Sequence, residues 1–299
     1  MNRIVIIDKS LEISSQGVVS KVKKILNVKK VGHTGTLDPM ATGVLPILIG
    51  DATKLSKYLI EHDKKYIAEL KLGEKRTTGD SEGEIVEKEN VDILKIEEEK
   101  IKDVLKSFLG ESEQIPSIYS AIKVNGKKLY EYAREGKEVE VPSRKIFIKE
   151  INLLNIDTKN NTIKFEAEVS KGTYIRSLCE DIAKKLSTIG YMSALRRVRV
   201  DKFDISQAVT LEELENNKES KEFLDKYLLK TEDVFNNLKK INLNKRKEEL
   251  FLNGVKLTFE LEDGLYNIYT SNDEYLGIGV IENNLLKRDV IVDERNIKK

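Results

Sequence analysis

The stretch VGHTGTLDPMATGVLPILIG, residues 31–50, constrains this chain more than any other. It holds four glycines, two prolines, one histidine and one carboxylate, Asp38. Glycine and proline let a backbone turn sharply and approach other groups closely. A plain Leu-Asp-Pro turn, with the aspartate capping backbone N–H groups, needs only one glycine. Here Gly32, Gly35 and Gly43 bracket Asp38, and His33 lies five residues upstream. One acid, with no second acid near it in the chain, falls short of the paired carboxylates of an ordinary glycosidase. One acid with one histidine also falls short of a metal site. A lone acid can act as a nucleophile or stabilise a cation.

The chain has 299 residues, enough for one large domain or a large domain with a small one. Charged residues make up 34% and nearly balance, for a net charge of +1. That excludes an acidic tail protein and a histone-like polycation. It does not exclude a nucleic-acid partner, which needs only a local basic face. The single cysteine, Cys179, rules out an internal disulfide, and with two histidines it argues against structural zinc. The apolar run before Asp8 is too short for a signal peptide, and no run approaches the ~20 residues of a membrane span. The expectation is a cytoplasmic protein without membrane contact.

Residues 3–7 read as a short buried strand. Ser15 reads as the N-cap of a helix bearing Val18, Val19, Val22, Ile25 and Leu26. After the glycine-rich stretch, residues 53–60 look helical. Tyr66, Ala68, Leu70 and Leu72 alternate along a strand that Gly73 ends. KRTTGDSEGE, residues 75–84, is a polar loop. Residues 96–109 form an amphipathic helix with Ile101, Val104, Leu105 and Phe108 on one stripe. Ile163, Phe165, Ala167 and Val169 alternate again. The turn SKGT leads into a helix striped by Ile175, Leu178, Cys179, Ile182 and Leu186, and residues 193–200 return as a strand. Thr210 with Glu213 is a capping box. Residues 215–247 are rich in Lys, Glu and Asn and mark a domain boundary. LYNIYT, YLGIGVIE and LLKRDVIV then read as strands of a small β-rich module of ~60 residues.

Two further residues stand beside Asp38. Arg176 lies on the first helical turn after the strand, where many α/β sites are built. Paired with an Asp, it would keep the acid ionised and oriented. Tyr66 opens its strand after Lys64 and Lys65. Its pattern alone reads as core or edge aromatic; the other reading is a platform for a base, with the lysines on phosphates. Residues 21–30, 123–128, 144–149 and 196–202 are positively charged, and each alone reads as a solvated face. Tyr119, Tyr130, Tyr132 and Tyr174 lie among or near them, which fits RNA better than a membrane.

Together these segments resemble the TruB family of tRNA pseudouridine synthases. GHTGTLDPMATGVLP is similar to that family's catalytic signature, and KKYIAELKLG to its Lys-x-Tyr strand. QIPSIYSAIKVNGKKLYEYAREGKEVEVPSRKI is similar to its central insertion, and VSKGTYIRSLCEDIAKKL with ALRRVRVDKF to its Tyr/Arg helix and following strand. The matches are collinear from about residue 3 to residue 210. The departures are Ser117 for a frequent proline, Met40 for a leucine, and Thr77 where an aspartate is common.

The resemblance implies an α+β fold: a pseudouridine synthase-like catalytic domain on a mostly antiparallel sheet, residues 1–235, then a PUA-like β-barrel, residues 240–299. It implies that the insertion near 115–150 grips the T-arm, and that the module adds more to RNA affinity than to chemistry. It implies isomerisation of uridine 55 of the tRNA T-loop, with no cofactor and no metal. By carry-over, Asp38 is the nucleophile and Arg176 its partner. Tyr66 stacks on the uracil and is a candidate for proton transfer. Tyr174 and Leu195 line the base pocket. His33 fills the space that the flipped base leaves, and Asp80 orders the pocket through polar contacts. The expected partner is tRNA alone, bound by a monomer without guide RNA or an obligate protein. Two rivals stay open: a non-catalytic RNA binder on this scaffold, and a relative that works inside a guide-RNA complex.

Overall fold

The computed structural model describes residues 1–60, 62–120 and 122–292. Positions 121 and 293–299, within the expected insertion and module, lie outside the described residues. No helix among the described residues is long and apolar enough to cross a membrane.

Strand β1 (Arg3–Lys9) opens the chain, and helix α1 (Ser15–Ile25) follows. The cap of α1 is Ser14, whose hydroxyl accepts from Gly17 N; Ser15 is already inside the helix. The glycine-rich stretch is only partly a loop. It contains β2 (Val31–His33), a turn, and β3 (Ala41–Ile49), where the run VLPILI is buried throughout. A 3₁₀ segment, Gly50–Tyr58, then leads to β4 (Lys64–Leu72). On β4 the residues Tyr66, Ala68, Leu70 and Leu72 face the core, as period-two alternation requires.

The large sheet has ten strands. Its path runs Leu229–Lys230, β1, β3, Gly190–Val200, β4, Thr162–Val169, Arg144–Asp157 and Gly110–Gln114. β2 lies off this path beside β3, and Phe203–Asp204 beside Gly190–Val200. Among the described residues, every pair of its strands is antiparallel except one. β3 and Gly190–Val200 run parallel, with Leu195 opposite Ala41, Arg196 opposite Thr42 and Arg197 opposite Gly43. The parallel pairing begins where the Asp38 turn enters β3. One sheet face is covered by α1, by Glu98–Lys106 and by Ile175–Lys185, which close the main core with Phe165, Leu178 and Ile182.

The C-terminal module is a five-stranded sheet in the order Lys239–Asn242, Gly264–Tyr269, Tyr275–Glu282, Leu285–Ile291, Leu257–Thr258. It is not a bead on a string. Ile278, Val290 and Val292 pack into one apolar cluster with Ile4, Ile6, Val44 and Leu48 of the large sheet. Asn2 Nδ2 donates to Val292 O at 3.1 Å, and Lys57 and Tyr58 both reach the carboxylate of Asp289. The boundary residues 215–247 are folded as well, into Lys221–Tyr227, Thr231–Val234 and a short strand on β1.

Two outcomes follow from this packing. Gly43 has φ +103°, and a Cβ there would lie 2.1 Å from the carbonyl oxygen of Arg197. Gly43→Ala should therefore cost about 3 kcal/mol or more in urea unfolding; a loss under about 1 kcal/mol contradicts the tight parallel pairing. Ile278→Ala should cost ~2–5 kcal/mol and lower the unfolding midpoint of the whole chain in one transition. Unfolding of the module by itself, with the large sheet unmoved, would contradict a shared core.

Candidate active site

The turn that carries Asp38 is fixed from three sides before any side chain of the site is considered. Ser15 Oγ accepts from Leu37 N at 2.8 Å and donates to Leu37 O at 3.0 Å. The carbonyl of Pro39 accepts from Glu12 N at 3.0 Å and from Lys9 Nζ at 3.1 Å. Arg197, fully buried, donates from Nε to Val44 O at 2.8 Å and from its terminal nitrogens to Gly35 O and Thr36 O. The Asp38 side chain is left partly exposed, at 36%.

Arg176 meets it from the first turn of the helix Ile175–Lys185. Its Nε lies 3.5 Å from Asp38 Oδ2, and its Nη1 lies 3.2 Å from Asp80 Oδ2. Nη1 also donates to Thr78 O and Nη2 to Tyr119 O. Arg176 is 7% exposed. A buried charge is tolerated when it is paired and its donors are satisfied, which these four groups achieve. Asp80 is buried behind Arg176, where its Oδ1 accepts from Thr78 Oγ1 and Glu82 N.

A cavity of about 710 Å³ opens over Asp38, a size usual for a small-molecule site. Tyr66, Tyr174, Ile175, Met192 and Leu195 give it apolar and aromatic walls. Lys64, Arg144, Lys145, Lys171, Arg176 and Arg197 also line it, and Asp38 is its one carboxylate among the described residues. Tyr174 is held by Gln114, which accepts from its N–H at 2.8 Å and donates to its carbonyl at 3.0 Å. Burial, reinforced by Arg197, brings Lys64 down to about 8.

Of the residues expected from sequence, Asp38, Arg176, Tyr66, Tyr174 and Leu195 line this one cavity. Asp80 supports it from behind, and His33 stands beside the turn rather than on the cavity wall. His33 Nδ1 accepts from Gly35 N at 3.3 Å. Burial, reinforced by Arg197 nearby, lowers the His33 pKa from its ordinary value.

The chain does bring other acids near Asp38. Asp80 shares Arg176 with it, and Glu82 is raised by burial, by Asp80 and by Asp38. Neither lines the cavity. Sequence reasoning also passed over Lys9 and Arg197. Lys9 follows Ile7 on the buried face of β1, donates to Ser10 O, Ile13 O and Pro39 O, and is lowered by burial to about 8. Arg197 lies within a stretch read as a solvated face, yet it shares a strand face with Leu195. The two-residue period was the signal available for both.

The comparisons with known proteins agree with this geometry. The profile described as "TruB family pseudouridylate synthase (N terminal domain)" matches residues 23–175. That for the "tRNA pseudouridylate synthase B C-terminal domain" matches residues 176–236. The tRNA pseudouridine synthase B of Caldanaerobacter subterraneus subsp. tengcongensis is 43% identical over 271 residues, covering 90% of this chain and 91% of its own. That of Clostridioides difficile is 44% identical over 289 residues, covering 93% and 94%. Among solved structures, an H/ACA RNP bound to a substrate RNA containing 2′-deoxyuridine matches with a TM-score of 0.71 at 25% identity, over 98% of this chain and 86% of that one. The chain belongs to the TruB family of pseudouridylate synthases.

Proposed function

We propose that this chain isomerises uridine 55 in the T-loop of tRNA to pseudouridine, with Asp38 as the nucleophile. The observation that carries the reading is the cavity itself: one carboxylate, paired with a buried arginine, among aromatic walls and five further cations. The reaction breaks the N1–C1′ bond and forms C5–C1′. The hydrogen on C5 leaves, and N1 takes up a proton, so the product is an isomer. The detached uracil must stay in place, turn and rejoin. A covalent bond from Asp38 to the nucleotide splits that exchange into two steps, and walls that keep water out suppress hydrolysis.

The other roles follow from position. Arg176 keeps Asp38 ionised and aimed. Tyr66 stacks on the uracil and is a candidate to move a proton; Tyr174 and Leu195 hold its other sides. The base is stacked in the folded T-loop and has to be flipped out, and the ring of His33 fills the gap by stacking. Lys64, Arg144, Lys145 and Lys171 at the cavity meet the phosphate backbone, which supplies affinity and register. Asp80 orders the pocket through Arg176. The insertion grips the T-arm, and the C-terminal module adds RNA contacts. Relatives at 43% and 44% identity are named tRNA pseudouridine synthase B, which supports tRNA as the substrate. We further propose that the chain acts in the cytoplasm as a monomer, without guide RNA, unlike the ribonucleoprotein assemblies that share its fold.

The purified chain alone should release tritium from 5-labelled uridine in a bare T-arm stem-loop, with pseudouridine mapping to position 55. No release above background, with RNA still bound, would favour a pure binder. Release only on addition of a guide RNA or protein partner would favour the guided class. Arg176→Lys should lose ~100-fold or more in kcat, because lysine lacks the planar fork that serves Asp38 and Asp80 together. A kcat near that of the parent would show that the pairing is unimportant.

A further inference from the structure

Three side-chain polar atoms among the described residues are buried without a hydrogen-bond partner: Thr34 Oγ1, Ser120 Oγ and Arg76 Nε. Two of the three belong to residues that line the Asp38 cavity. Thr34 is 1% exposed and Ser120 3%. Leaving a buried hydroxyl unpaired is costly, and folded chains rarely do so without a reason.

Neither residue is loosely held. Thr34 N donates to Pro46 O, which ties the residue to β3. The carbonyl of Ser120 accepts from Tyr130 N, which fastens it to the helix Leu129–Arg134. The preceding carbonyl, of Tyr119, accepts from Arg176. The two main chains are pinned while the two hydroxyls have nothing to bond. Their residues come from distant regions of the sequence, the Asp38 turn and the insertion, and the fold places both in the wall of one cavity.

We propose that the Thr34 and Ser120 hydroxyls are substrate-contact groups that hydrogen-bond the polar atoms of the extruded uridine. This rests on the function proposed above. The aromatic and aliphatic walls can hold only the faces of the base. The polar atoms of the nucleoside need donors and acceptors, and Asp80, already bonded to Thr78, Glu82 and Arg176, does not line the cavity. A hydroxyl can donate to a uracil carbonyl or accept from a ribose hydroxyl. Such bonds form only once the base has left its stack, so they favour the flipped state and not the initial encounter, which the phosphate contacts dominate.

The test uses Ser120→Ala and Thr34→Val in the full chain, with a T-arm stem-loop. Each variant should lower the single-turnover rate at saturating RNA by about tenfold, the effect of one ordinary hydrogen bond. The Kd for the T-arm should move by less than about threefold, because phosphate contacts set it. Tm should not fall, because no partner is orphaned, and Thr34→Ser should restore the rate. A T-arm with 2′-deoxyuridine at the target, read by fluorescence of a neighbouring 2-aminopurine as the base leaves, separates the two partners. A variant defect that vanishes there assigns the ribose, and one that persists assigns the uracil. Rates within twofold of an active parent overturn the proposal, as does a rate loss that tracks a fall in Tm. A parent with no turnover would instead overturn the function on which it rests.

Discussion

The guanidinium of Arg176 is the point through which the site is assembled. Its Nε faces Asp38, its Nη1 reaches Asp80 and Thr78, and its Nη2 reaches Tyr119. Those partners come from the Asp38 turn, the polar loop and the insertion, while Arg176 itself comes from a helix. An arginine fork has fixed geometry and cannot give up its charge. Once buried, it forces these four segments into one arrangement, because any other would leave a charge uncompensated. The same contact that orients the Asp38 carboxylate also closes the cavity around it.

A fixed arginine would be of little use if the turn that carries Asp38 could drift. The turn is held through its backbone instead: Ser15 at Leu37, Lys9 at Pro39, and Arg197 at Gly35, Thr36 and Val44. Two buried cations thereby serve as struts rather than as reagents. Gly43 lets the parallel strand approach at the foot of the turn. The Asp38 carboxylate is left partly open to the cavity while its backbone is held from behind, as a functional group supported by rigid neighbours requires.

Much of this was legible in the amino-acid order. Alternation marked β4 and residues 163–169 because one face of each is buried, and the 3.6-residue stripe marked the helix Ile175–Lys185 because it covers the sheet. Residues 31–50 pointed to Asp38 through the density of glycines. Other features were hidden for a physical reason. Asp80 and Glu82 are remote from Asp38 in sequence and approach it only because the polar loop docks on Gly190–Val200, where Met192 N donates to Gly79 O. Charge runs read as solvated faces conceal a buried arginine when the strand period is not applied to them. The apolar cluster joining the C-terminal module to β1 and β3 spans nearly the whole chain. No local pattern reports a contact at that separation. The function itself was named by resemblance; spacing and composition reached a candidate nucleophile and stopped there.

The central claim is that a single carboxylate does covalent chemistry in a cavity whose other charged lining groups, among the described residues, are cations. It is tested most directly by tritium release from 5-labelled uridine with Asp38→Asn, measured beside T-arm binding. The amide keeps the shape of the side chain and loses its nucleophilicity. The account predicts no release above background with RNA affinity close to that of the parent. Release at near the parental rate would contradict it.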